Sequence, residues 1–288
     1  MAARRLTFTV GLREPVQGVS SRSGWLIEGA AGWAEWSPLP SWSRDEVVTA
    51  YRGALEAAHN PFPDPVSPSV EINTMVPRVA PAVAARMAVE SGCSTIKVKV
   101  GDPDGEARVR AVREAVGRAA RIRLDANGAW GVEEALSALR RLQAYSIEFV
   151  EDPVPTLDEL ARVRGRSPLP VAAEMSIRTL DDILELRRLG AADLLVVKPQ
   201  RIGGVRAVLR AAELCRVPLI ISSALETSVG LAACLAVAAA LPASDFAHGI
   251  GTAALLVEDV TTQPLLPLRG RLFPRRVEPD LLLAATPS

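Results

Sequence analysis

The sequence predicts an α/β fold: a modified (β/α) barrel of the TIM type, with a small α+β capping domain. Three observations predict it. Short apolar runs recur along the middle of the chain: "EINTMV", "TIKVKV", "RIRLDAN", "SIEFVEDP", "PVAAEMS", "DLLVVKP", "PLIISSA" and "DFAHGIG". Amphipathic segments of helical length separate most of them, such as "EARVRAVREAVGRA" and "VEEALSALRRLQA". Strands alternating with helices indicate βαβ units and a parallel sheet. Finally, five ionisable residues keep step with the repeat: Lys99, Asp125, Glu151, Glu174 and Lys198 are spaced 26, 26, 23 and 24 residues apart. Each spacing is one βα unit, so five consecutive strands end on a charged or ionisable side chain. An open doubly wound sheet would show a Gly-rich turn after its first strand, and none is present.

The elements follow in order. The segment "WLIEGAAGWAEWSPL" reads as a hairpin with small residues at its turn. "SRDEVVTAYRGALEAAH" reads as a helix with Ser43 as N-cap and Glu46 completing a capping box. Four prolines between Asn60 and Ser69 exclude helix and central strand and mark a linker. The barrel is expected over 70–255, and the capping domain over 1–69 with the tail 256–288, which should pack back on the first region. "RIGG", Arg201 to Gly204, reads as a turn into a helix. The 13-residue apolar run Val229–Leu241 is too short for a bilayer and reads as a buried helix. Trp25, Trp33, Trp36 and Trp42 read as packing in the capping domain.

Composition narrows the function. With 33 acidic and 33 basic residues in 288, formal net charge is zero. There is no electrostatic case for nucleic acid or an anionic membrane surface. The N-terminus lacks the apolar run of a signal peptide. Cys93, Cys215 and Cys234 have no metal-like spacing and fit packing positions in a reducing cytoplasm. Nothing in the sequence requires an oligomer, and a monomer is compatible with it.

Of the 33 basic residues only Lys97, Lys99 and Lys198 are lysine. Lys97 and Lys99 stand two apart in a β-branched run, so both point to one face. In (β/α) barrels chemistry sits at the C-terminal strand ends. Asp125, Glu151 and Glu174 end adjacent strands, and three convergent carboxylates repel unless a cation lies among them. Oxygen ligands favour Mg²⁺, with Mn²⁺ as a substitute, and no nearby His or Cys argues for zinc. A like charge at Lys97 favours the neutral form of Lys99, which makes a base. Lys198 ends the sixth strand and should face Lys99 across a bound substrate. A catalytically silent binding barrel would not need all five charged positions.

"KVK", "DAN" at Asp125–Asn127, "VEDP" from Val150, "AAEMS" around Glu174 and "VVKPQRIGG" from Val196 together resemble the enolase superfamily. The Lys-x-Lys with a lone later lysine resembles its muconate-lactonising branch. "ISSALETSVG" and "HGIGTAALL" resemble the dehydratases of that branch. The resemblance implies a small carboxylate substrate, Mg²⁺ on Asp125, Glu151 and Glu174, and an enediolate. It further implies β-elimination of water from a cyclohexadiene carboxylate in menaquinone biosynthesis, with Lys99 as base then acid and Lys198 as a cation. Asn127, Asp152 and Arg123 are expected to support the ligands. Ser222, Ser223, Gly251 and Thr252 are expected to meet the substrate's tail, and His248 to be structural. Two departures stand out: Glu174 is followed by Met175 where that branch commonly has Asp then Glu, and the capping region is short. An N-acylamino-acid racemase on the same framework is the alternative.

Overall fold

The structure is a computed structural model that describes residues 4–16 and 18–284. Residues 1–3, 17 and 285–288, assigned above to the capping domain, lie outside the described residues. In chain order the elements begin with β1 (Arg5–Val16), β2 (Val19–Gly29), β3 (Gly32–Trp36), α1 (Arg44–His59), β4 (Val70–Glu71), β5 (Thr74–Val76) and α2 (Pro81–Glu90). They continue with β6 (Thr95–Lys99), α3 (Gly105–Val116), β7 (Arg121–Asp125), α4 (Val132–Leu142), β8 (Ile147–Glu151), α5 (Leu157–Arg164) and β9 (Val171–Ala173). Last come α6 (Leu180–Leu189), β10 (Leu194–Val197), α7 (Pro199–Ile202), α8 (Val205–Leu214), β11 (Leu219–Ile221), α9 (Ser228–Ala240) and β12 (Arg271–Leu272). The chain divides into two compact units, one of Met1–Glu71, Val197–Ala212 and Ile221–Ser288, the other of Ile72–Val196 and Glu213–Ile220.

In the first unit β1, β2 and β3 form an antiparallel sheet. Gly29 pairs with Gly32 around a two-residue turn, and Gly32 has φ +118°, which a side chain would resist. Helix α1 starts as its sequence requires. Ser43 Oγ accepts the Glu46 N–H at 3.3 Å, and Glu46 Oε2 accepts the Ser43 N–H at 2.8 Å. Trp25 and Trp36 lie 4.6 Å apart with Tyr51 edge-on to both, and the Trp36 indole donates to Val47 O. The tryptophans are thus packing, with Trp33 and Trp42 buried. In the tail, β12 pairs with β4, and Val257 N–H donates to Gly11 O at 2.8 Å.

The "RIGG" run is a turn between α7 and α8. A Cβ on Gly204 would lie 2.8 Å from Gly53 Cα, so glycine here lets α1 approach the backbone closely. Helix α9 is the apolar run, buried almost throughout. Its N-cap Thr227 makes no side-chain cap of its own. Remote carboxylates do that work. Glu35 Oε2 accepts from Thr227 N, Thr227 Oγ1 and Gly230 N, and Asp259 accepts from Ser228 N and Oγ. A negative charge at a helix N-terminus satisfies free N–H groups and opposes the dipole.

The second unit holds a seven-stranded parallel sheet in the order β11-β10-β9-β8-β7-β6-β5, flanked by helices. The run "EINTMV" splits: Val70–Glu71 joins β12, and only Thr74–Val76 joins β6. The eighth run, "DFAHGIG", is not a strand. It is reduced to a single parallel bridge, Ser222 with Gly249. Two glycines and one β-branched residue, Ile250, give that run little extended-backbone preference. No helix among the described residues is long and apolar enough to cross a membrane.

Burial pushes Glu35 up to about 7 from an ordinary 4.5, against hydrogen bonds from Ser37 and Thr227. A folded value above the unfolded one means the native state binds this proton more tightly. Its ionisation therefore lowers stability as pH rises between those two values, by about 3 kcal/mol at most. Glu35→Gln is expected to be less stable overall, because it trades an acceptor for an amide N–H facing helix donors. Its denaturation free energy should nevertheless fall less steeply than wild type across that pH range. An unchanged slope would remove Glu35 as the titrating group.

Candidate active site

Parallel register builds the centre of the site. Lys99 pairs with Asp125 and Asp125 with Glu151, so the ends of β6, β7 and β8 lie level. Glu174 follows β9 directly. Each strand end then turns sharply, with Asn127 at φ 51° and Asp152 at φ 42°. Asn and Asp tolerate this left-handed backbone better than other residues with a Cβ. These turns put the two side chains back over the strand ends.

The lysines do stand on one face, as alternation requires. Lys99 Nζ lies 2.7 Å from Asp125 Oδ2 and 2.8 Å from Asn127 Oδ1. Lys97 Nζ lies 2.8 Å from the same Asp125 oxygen and 2.6 Å from Glu151 Oε1. Asp125 Oδ1 accepts the Asn127 N–H at 3.0 Å. One carboxylate oxygen thus joins two ammonium groups, which explains how a buried strand accepts both.

The two lysines differ electrostatically. Burial works against charge on Lys97, but Asp125 and Glu151 outweigh it and hold its proton above the ordinary lysine range. Lys99 goes the other way: burial lowers it first, Asp125 opposes, and the Lys97 charge lowers it further. The expected influence of Lys97 is present, smaller than desolvation and than the opposing Asp125 charge. Burial would raise Asp125, yet Lys97 and Lys99 hold it below the usual carboxylate range.

A second cluster adjoins this one. Ligand atoms of Glu151, Asp152 and Glu174, all buried, lie within 4.8 Å of one another. Burial first, then the Asp125 and Glu174 charges, raise Glu151 despite Lys97. Burial followed by Glu174, Glu151 and Asp125 raises Asp152 well above its ordinary value. Buried carboxylates at this spacing call for a cation. The donor set is all oxygen, which fits a hard divalent ion. Both Asp152 oxygens already accept backbone N–H groups, from Glu174 at 2.9 Å and Met175 at 2.8 Å. Asp152 therefore orients the segment that carries Glu174.

Arg123 sits one layer below Asp125. Its Nε donates to Glu148 Oε2 at 2.5 Å, Nη1 donates to Asn73 Oδ1 at 3.3 Å, and its guanidinium lies 4.7 Å from the Phe149 ring centre. Glu148 and Asn73 were not singled out from sequence. Glu148 lies in β8 and Asn73 between β4 and β5, and nothing local in their runs signals that they meet Arg123.

In the first unit, Lys198 is half-buried and is the N-cap of α7, its carbonyl accepting N–H groups of Arg201 and Ile202. Ser223 Oγ and Thr252 Oγ1 are 2.7 Å apart and buried. Ser222 N–H donates to Val197 O at 2.8 Å, and its Oγ lies 3.5 Å from Gly249 O. Gly251 precedes Thr252 at a helical turn. His248 Nδ1 accepts the Ile221 N–H at 2.9 Å, a structural bond. Glu35, Gln200 and Glu226, buried in this unit, also went unremarked in the sequence. Glu226 was legible as the lone charge in "SSALETSVGLAACLAV".

Comparison with known proteins follows from this geometry. Residues 80–278 match the enolase C-terminal domain-like family, and residues 7–58 the enolase N-terminal domain-like family. The chain is 47% identical over 276 residues to o-succinylbenzoate synthase of Thermobifida fusca (strain YX), covering 94% of this chain and 87% of that protein. It is 41% identical over 277 residues to o-succinylbenzoate synthase of Mycobacterium ulcerans (strain Agy99), covering 93% and 83%. Among solved structures, muconate lactonizing enzyme from Pseudomonas fluorescens complexed with muconolactone superposes with a TM-score of 0.85 at 20% identity, covering 96% and 94%. At that identity the likeness shows the fold, the modified (β/α) barrel with an N-terminal antiparallel-sheet domain.

Asp152→Ala is expected to weaken divalent-cation binding by about 10–100-fold, the usual cost of losing a partner that orients a ligand. Titration calorimetry with Mg²⁺ on the folded variant measures this. Full affinity would show that the bonds to Glu174 and Met175 do not position the ligand.

Proposed function

The chain belongs to the enolase superfamily and is a carbon–oxygen lyase with the o-succinylbenzoate synthase activity; we propose how its own residues perform that reaction. The reaction is dehydration of 2-succinyl-6-hydroxy-2,4-cyclohexadiene-1-carboxylate to 2-succinylbenzoate. Lys99 is the acid–base residue, Lys198 a cation, and Asp125, Glu151 and Glu174 the ligands of a divalent metal, Mg²⁺ by preference. Asn127 and Asp152 orient these groups, and Arg123 supports the strand layer beneath them. Ser222, Ser223, Gly251 and Thr252 are assigned to the succinyl chain. The observation that carries this assignment is the Lys99 ammonium position: it lies between Asp125 Oδ2 and Asn127 Oδ1, with Lys97 beside it.

Lys97 already places one positive charge against both Asp125 and Glu151. That supports these two carboxylates as partners of a shared cation. Asp152, with both oxygens engaged by backbone, suits orientation better than ligation. When bound, a divalent cation would draw electron density from the substrate carboxylate and stabilise the enediolate charge.

The proton path needs only Lys99. Burial and Lys97 favour its neutral amine, which takes the proton from the carbon bearing the carboxylate. The C–H electrons move into the enediolate. They then form the ring double bond as the C–O bond breaks, and Lys99 returns its proton to the departing hydroxyl, giving water. Asn127 Oδ1 keeps the Lys99 head oriented through both steps. Lys198 contributes charge alone.

Lys99→Ala should lower dehydration by about 10²–10⁴-fold or more, the range for loss of a general acid–base. Dehydration can be followed in step with exchange of the α-proton of N-succinylamino acids into deuterated solvent. Wild type is expected to dehydrate the cyclohexadiene and to exchange little of either enantiomer. Rapid exchange of both enantiomers with slow dehydration would instead make Lys198 a second base and the chain a racemase.

A further inference from the structure

The lysine that begins α7 is followed two residues later by Gln200, whose amide is buried and held at both ends. Gln200 Oε1 accepts the Ser37 N–H at 2.8 Å. Gln200 Nε2 lies 3.3 Å from Glu226 Oε1 and 3.4 Å from Ser37 Oγ. Each partner is anchored in turn. Ser37 Oγ donates to Glu35 Oε1 at 2.5 Å, and Glu35 holds the N–H groups of Thr227 and Gly230. Glu226 Oε2 accepts the Ala224 N–H at 2.6 Å. The bonds close into a ring: Gln200, Ser37, Glu35, Thr227 and its chain neighbour Glu226. The ring ties together the end of β3, the turn α7 and the N-terminus of α9, and all its members are buried.

We propose that Gln200 is a positioning residue for Lys198, with Ser37 and Glu226 as the two fixed points between which its amide is stretched. The assignment rests on the role given to Lys198 above. Three physical reasons support it. Helix α7 is a single turn of four residues, too short to hold itself. Its first carbonyl is that of Lys198, which accepts from Arg201 N at 3.0 Å. Fixing Gln200 therefore fixes the backbone from which the Lys198 side chain departs. The second reason is the cost of the arrangement. A buried primary amide flanked by a buried carboxylate is expensive unless every group is satisfied, and apolar packing would stabilise the same corner with less desolvation. Charge gives the third: Lys198 acts on Glu226 as a favourable charge, ranking after burial, the backbone bonds and the Arg22 charge in setting that carboxylate. The attraction is mutual and keeps the ammonium and the ring in one electrostatic unit. A residue that serves only as a fixed cation gains from this, because misplacement of a charge by about 1 Å can cost on the order of 10²-fold in rate.

A double-mutant cycle tests the proposal. Gln200→Leu removes both ends of the amide while keeping a similar volume. It is expected to lower the dehydration kcat by about 10–100-fold with KM little changed. The same substitution in a Lys198→Ala background is expected to lower the residual rate no further, because a residue acting through Lys198 has nothing left to position. An equal loss in both backgrounds, or an unchanged kcat in Gln200→Leu, would overturn it. Wild-type dehydration by Lys198→Ala would instead defeat the Lys198 assignment itself, so the two failures are distinguishable. If Gln200→Leu does not fold, the exchange of Gln200→Glu with Glu226→Gln keeps the bond from Ser37 N–H and the bond between the two side chains, gives up the longer contact to Ser37 Oγ, and moves the charge by one side chain. The exchange should recover kcat relative to Gln200→Glu alone, and no recovery would also count against the proposal.

Discussion

The charge balance among buried strand ends governs this molecule. Asp125, Glu151, Asp152 and Glu174 are each at most 4% exposed. Carboxylates at that depth, some within 4.8 Å of one another, could not ionise together without positive charge beside them. Lys97 supplies part of it, bridging Asp125 and Glu151, and a divalent ion, when bound, would supply the rest. Once that requirement is fixed, much else follows. Strand register must hold Lys99, Asp125 and Glu151 level. The turns after β7 and β8 must accept left-handed backbone. The segment after β9 must be pinned, which Asp152 does through the Glu174 and Met175 amides.

The lysine pair shows how the same residue type takes opposite roles a few ångströms apart. Lys97 touches two carboxylates and keeps its proton. Lys99 touches one carboxylate oxygen and one neutral amide oxygen, so burial prevails over attraction. Replacing Asn127 Oδ1 with a second anion would erase that difference. The lowered proton affinity of Lys99 thus comes from burial beside a neutral amide, with the charged neighbour behind it adding to the effect.

Much of this was legible in the sequence because it is periodic. The 23–26-residue step of ionisable positions reports the βα repeat directly, and the lysine rarity isolates Lys97, Lys99 and Lys198 from a background of arginine. Ser43 and Glu46 announced the start of α1. What escaped notice is long-range. Glu35 and Thr227 are 192 residues apart, and nothing local in "GWAEW" says its glutamate will cap a distant helix. The eighth run read as a strand because its length and position fit the repeat, but its two glycines leave only a bridge. Arg123 could be seen beside Asp125 in sequence, while its engagement with Glu148 and Asn73 depends on strands and a loop that only folding brings together.

The scarcity of lysine has a consequence for the chemistry of the whole surface. The three lysines lie within or directly after strands, one of them buried and two half-buried, and the rest of the side-chain positive charge is guanidinium. Amine-directed reagents therefore meet a surface with almost nothing to modify besides the chain's own α-amino group. Acylation, reductive methylation and carbamylation thus report on Lys97, Lys99 and Lys198. The extent of labelling at each would read how accessible that one side chain is under any given condition, with no engineered probe.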